Sequence, residues 1–122
     1  MNYALTFEQR SEYLYVYVEV YVATYEVTHE YCTKIAIAAS GFPGRRVLIE
    51  KASAPQLSTL EAFKLVSELP SMGFTRIKMA FVDHSLNSDE VNNFAEMVGN
   101  NMGLNARTFD HVHAAERWLL SA

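Results

Sequence analysis

Tyr13-Leu14-Tyr15-Val16-Tyr17-Val18-Glu19-Val20-Tyr21-Val22 alternates two kinds of surface with a period of two. Only an extended strand sends odd and even positions to opposite faces. One face therefore carries Leu14, Val16, Val18, Val20 and Val22, and the other a row of tyrosines broken by Glu19. β-Branched and aromatic residues fit a pleated surface and crowd a helix, so a helix is excluded here. The aliphatic face must meet a core, whereas the tyrosine face, with an ionisable Glu19 at its centre, is half wet and open to a partner.

Outward from this strand, the chain separates into strands and helices in strict order. Upstream, Tyr3, Leu5 and Phe7 alternate with Ala4, Thr6 and Glu8, and the polar break at 9–12 predicts an antiparallel hairpin. Downstream, the period turns helical from Thr24 to Ser40, with Val27, Tyr31, Ile35 and Ala38 on one face and Gly41-Phe42-Pro43-Gly44 as a stop. Residues 45–50 predict a short strand. Ser58-Thr59-Leu60-Glu61 is a capping box, opening a helix through Leu60, Phe63, Val66 and Leu69 that Pro70 and Gly73 end. A strand through Ile77, Met79 and Phe81 leads to Asp83-His84. Asn87-Ser88-Asp89-Glu90 then signals a helix bearing Val91, Phe94, Ala95 and Val98. Residues 104–109 predict a last strand, and Asp110 is placed to cap a helix with Val112, Ala115, Trp118 and Leu119.

The pattern is one strand followed by four β-α units, in a single domain over residues 1–122. Strands joined through helices must be parallel with right-handed crossovers, so only the first should be antiparallel. The expected fold is α/β, with a mostly parallel sheet of five strands. In a sheet covered on both faces the strands would read as unbroken apolar runs, but the tyrosine row and Lys78 interrupt them. Helices are therefore expected mainly on one face, leaving Tyr13, Tyr15, Tyr17 and Tyr21 on the open back, where self-association into a homodimer would use them.

Composition narrows the function classes. The net charge is −4, and the ten Lys and Arg residues are scattered apart from Arg45-Arg46, so nucleic acid is not an expected partner. No leader-like basic and apolar opening is present, and no apolar run approaches the roughly 20 residues that span a bilayer. A soluble, cytoplasmic protein is expected. The single cysteine, Cys32, cannot form an internal bridge and reads as a small buried hydrophobe.

Candidate chemistry is sparse. Asp83-His84 and Asp110-His111-Val112-His113 follow strand ends, where α/β folds place ligands, so His84, His111 and His113 are weak metal candidates; no metal or other cofactor is expected. No Gly-x-Ser-x-Gly elbow occurs, and Gly41-Phe42-Pro43-Gly44-Arg45 lacks the ending of a phosphate loop and precedes a strand. No acid/base pair can be argued, and an enzyme is not expected. The helices instead carry more apolar residues than one buried stripe needs. Ile35, Ile37, Phe42, Leu60, Phe63, Met72 and Phe74 are the candidate lining of an apolar ligand pocket.

This order of elements, with the closing stretch from Arg107-Thr108-Phe109-Asp110 to Trp118-Leu119, resembles the STAS domains, the anti-sigma-factor-antagonist or SpoIIAA-like fold. More narrowly, nearly the whole chain is similar to stand-alone bacterial SpoIIAA-like proteins. The resemblance implies a non-enzymatic module. In the partner-switching members a phosphorylatable serine follows an aspartate at a helix start. Ser58 stands at that position in Leu57-Ser58-Thr59-Leu60, without the aspartate before it or the glycine after it. A phosphate at a helix start is electrostatically favourable, so a protein-interaction switch modified at Ser58 is the alternative expectation. The fold also looks similar to the lipid-binding CRAL-TRIO domains. The leading expectation is a small apolar or amphipathic ligand held between the first two helices and the sheet, with peripheral membrane contact through their apolar ends.

Overall fold

The structure, a computed structural model, describes residues 1–85 and 88–121. Strands β1 (Tyr3–Gln9), β2 (Leu14–Val20), β3 (Arg46–Lys51), β4 (Lys78–Asp83) and β5 (Asn105–Phe109) form one sheet in sequential order. β1 and β2 are antiparallel and the other neighbours are parallel. Helices α1 (Tyr25–Ser40), α2 (Thr59–Glu68), α3 (Asp89–Asn101) and α4 (Val112–Leu119) follow β2, β3, β4 and β5 in turn. The α/β fold of a hairpin and four β-α units is thus the one expected.

Sequential order fixes where the helices go. Each right-handed crossover from β2 to β5 moves one strand in the same direction, so α1, α2 and α3 fall on the same face. The core beneath them joins Val16, Val18, Val47 and Ile49 of the sheet to Tyr31, Ile35, Val66 and Val98 of the helices. Helix α4, after β5, instead packs across the opposite face. There Ala115 and Leu119 bury Leu48, Ala80 and Val82.

That last helix changes the reading of the tyrosine row. Tyr13 lies within the α4 core at 3% exposure, and its hydroxyl donates to Glu116 Oε2 at 2.5 Å. Tyr15 and Tyr17 stay half-buried on the back, where Tyr15 donates to Glu50. Tyr21 lies beyond the strand, in a turn whose amides at 21 and 22 both bond the Asn2 carbonyl, and its ring is exposed. The part of the tyrosine face left open lies on β1 and β2, where Thr6, Glu8, Tyr15, Tyr17 and Glu19 share a face.

The helix starts are partly as expected. Thr24 accepts from the Val27 amide, and Ser58 with Glu61 forms the complete capping box. Ser88 is the cap of α3 but makes no side-chain cap bond, its hydroxyl donating instead to the Ser85 carbonyl at 3.0 Å. Asn87 lies outside the described residues. α4 is capped at His111 without a side-chain bond, one residue later than the Asp110 expected. In α2 the buried stripe is Ala62, Leu65 and Val66, whereas Leu60 and Phe63 are 78% and 42% exposed. Two apolar stripes run along this helix, and the sheet takes the second.

Candidate functional site

Between the layer of α1, α2 and α3 and the sheet lies a cavity of about 160 Å³. Its walls are apolar over most of their extent, with Ile35 from α1, Leu65 and Val66 from α2, Ala95 from α3, and Ile49 and Phe81 from the sheet. Leu69 and Phe74 close the end nearest the strand amino termini, and Pro55, Gln56 and Leu57 of the β3–α2 loop border the other end.

At that loop end, next to the carboxyl termini of β3 and β4, the lining becomes polar. The alternation of β3 puts Val47, Ile49 and Lys51 on the helix-covered face, and parallel register sets Lys51 directly beside Asp83. Lys51 is 7% exposed, and its Nζ stands 3.8 Å from Asp83 Oδ2, an ion pair too long for a hydrogen bond. Asp83 is served by other donors. Oδ1 accepts from the Ser85 amide at 2.9 Å, and Oδ2 from Asn92 Nδ2 at 3.1 Å and Gln56 Nε2 at 3.3 Å. Burial raises the Asp83 pKa, but the Ser85 bonds, the charge of Lys51 and the Asn92 bond outweigh it and hold the carboxyl below its ordinary value. The Lys51 amine is pushed below its ordinary value, because burial outweighs the attraction of Asp83.

Two further cavity residues have weakly reactive groups. Burial pushes the Cys32 thiol up to about 12, which keeps it protonated and poorly nucleophilic at neutral pH. Burial likewise pushes the Tyr31 phenol up. Asp83 and Asn92 also border a second, polar groove of about 380 Å³ at the ends of β4 and β5, with Asp89, Asp110 and His111 on its other walls.

The expected pocket residues divide between these surroundings. Ile35 and Phe74 line the cavity. Phe42 is buried in the core beyond it, and Met72 packs half-buried against that core. Ile37, at 72% exposure, Leu60 and Phe63 point away from the sheet. Because α1 and α2 run parallel, Ile37 near the end of one and Leu60 at the start of the other lie at opposite ends of the layer and form no common patch. Leu60 and Phe63 instead continue onto α3, where Phe94 lies 6.4 Å from Phe63 between ring centroids and Met97, one turn on, is exposed.

Ser58 is exposed, but its hydroxyl is engaged. It accepts from the Glu61 amide at 3.1 Å and donates to Glu61 Oε1 at 3.0 Å, so a phosphoryl group there would have to displace that carboxylate. The histidines do not gather. His84 Nε2 lies 2.7 Å from Glu50 Oε2, His111 borders the groove, and His113 is exposed on α4. Among the described residues no three His, Cys, Asp or Glu side chains converge as metal ligands would. Nor, among them, is any helix long and apolar enough to cross a membrane.

Lys51 is the site residue that sequence reasoning overlooked. Its signal was the period-two pattern Val47, Ile49, Lys51, which places a lysine on the face that must be covered. Comparison of the sequence with protein-family models and with curated proteins finds no match. The chemistry of the cavity is then the evidence for function.

Proposed function

We propose that the chain is a non-enzymatic, STAS-like module that binds a small, largely apolar ligand in the cavity between its helix layer and its sheet. The observation that carries this reading is the cavity: apolar walls from α1, α2, α3 and the sheet, with its polar groups gathered at the strand ends. A recess of about 160 Å³ lined mostly by apolar side chains, with a few polar groups at one end, is the kind of space in which small apolar ligands are held. Apolar cavities near this size take up a single ring or a short chain. Binding without turnover agrees with a cysteine held as a thiol and with a lysine and an aspartate that face each other rather than a nucleophile.

The exposed strip of Leu60, Phe63 and Met97 extends the reading to peripheral membrane contact, since it lies on the outer side of two helices that wall the cavity. Native mass spectrometry of gently purified protein should show a bound small molecule that leaves on unfolding. Protein that is ligand-free from every expression host, and takes up none of a panel of small apolar compounds, would end the ligand reading. Flotation with liposomes checks the membrane contact separately: Leu60→Ser with Phe63→Ser should release the protein from the vesicle fraction.

A further inference from the structure

We propose that Lys51 Nζ is the polar anchor of the cavity, and that the ligand is a neutral apolar molecule bearing one oxygen acceptor, such as an alcohol, ketone or ester. This rests on the cavity being the binding site and specifies what enters it. Lys51 is more than nine-tenths buried, borders the cavity, and among the described residues has Asp83 as its ionic partner, at a distance beyond hydrogen bonding. Asp83, by contrast, already accepts from Ser85, Gln56 and Asn92. Among the described residues no acceptor stands within hydrogen-bond distance of Nζ, so its N–H groups remain available to a ligand oxygen entering the cavity.

Charge decides the kind of acceptor. Lys51 and Asp83 together are electrically neutral, and Glu96 and Arg107, the other charged residues bordering the cavity, are again one of each sign, so what is missing beside Nζ is a lone pair and not a negative charge. A carboxylate or phosphate would leave a net negative charge in an apolar space and stand close to Asp83, both unfavourable in low dielectric. A hydroxyl or carbonyl oxygen accepts from Nζ at no such cost. The donors persist whether the amine is protonated or neutral, which removes any need for a fixed protonation state.

Three probes with one ring separate the terms: cyclohexane, cyclohexanol and cyclohexanecarboxylate, each titrated into the whole protein and followed by two-dimensional amide NMR. Cyclohexanol should bind about tenfold tighter than cyclohexane, the size of one hydrogen bond from a charged donor, and cyclohexanecarboxylate should bind most weakly. Tightest binding by the carboxylate, or equal binding of cyclohexane and cyclohexanol, overturns the anchor while leaving the cavity reading in place. Failure of all three to bind overturns both. In Lys51→Met with Asp83→Asn, which removes the two charges together, cyclohexane should still bind and the preference for cyclohexanol should vanish. A preference that survives in the folded double variant shows that Lys51 is not the anchor. The comparison on the unaltered protein decides the matter even where the variant does not fold.

Discussion

At the scale of single residues, Lys51 and Asp83 are coupled strongly enough that neither can be changed alone without loss. Asp83→Asn leaves a buried lysine without its counter-charge, and removing one partner of such a pair costs about 3 kcal/mol. Urea unfolding should show that loss, and adding Lys51→Met should restore most of it, because a pair deleted whole leaves no uncompensated charge. The pH dependence follows from the direction of the shift. The Asp83 carboxyl is held below its ordinary value when folded, so its contribution is complete above the ordinary carboxylate range and is lost as pH falls through the lower folded value. Glu50 contributes in the same acid window: burial raises its pKa, but the bonds from Tyr15 and His84 prevail and lower it. Stability measured from neutral to acid pH should therefore fall less steeply in Asp83→Asn than in the unaltered chain; equal slopes would show Asp83 to be energetically silent. The face that Lys51 occupies is legible from the alternation of its own strand. Its partner is not, because parallel register is a pairing between residues 32 positions apart and leaves no local trace.

At the scale of elements, α2 shows both what local sequence determines and where it stops. The capping box is a property of four consecutive residues, and Ser58 and Glu61 make both of its reciprocal bonds. Ser58→Ala should cost about 1 kcal/mol in unfolding free energy, whereas Ser58→Asp, which can still cap, should cost much less. Equal losses for the two would mean that the hydroxyl has a role other than capping. Which stripe of α2 is buried was not legible. Leu60, Phe63, Val66 and Leu69 make as good a helical face as Ala62, Leu65, Val66 and Leu69, and only the neighbouring α3 and the sheet beneath select the second. The same limit applies to α4. Its amphipathic pattern predicts that Ala115 and Leu119 are buried, but not that they bury Tyr13 on the back of the sheet.

At the scale of the whole molecule, the helix-covered face was legible because right-handed crossovers between successive parallel strands put α1, α2 and α3 on one side, whereas α4, which is not a crossover, carries no such signal, and its place on the tyrosine side was missed. The cavity was legible only as a surplus of apolar residues, several of which lie on the outside. A void is the difference between two packed surfaces, and no single segment encodes it. Its energetic consequence can nevertheless be tested directly. Ala95 borders the space from α3 and stands on a helix, where leucine is nearly as well tolerated as alanine. Ala95→Leu should therefore fill part of the cavity, stabilise the ligand-free protein by about 1 kcal/mol, and weaken the binding of cyclohexane and cyclohexanol alike. The two readouts move in opposite directions only when the space is both empty in the free protein and the place where ligand sits. A variant that loses stability yet binds as before would mean that the helix layer already closes over this space in solution, and that binding has to be sought in the polar groove beside Asp110 and His111.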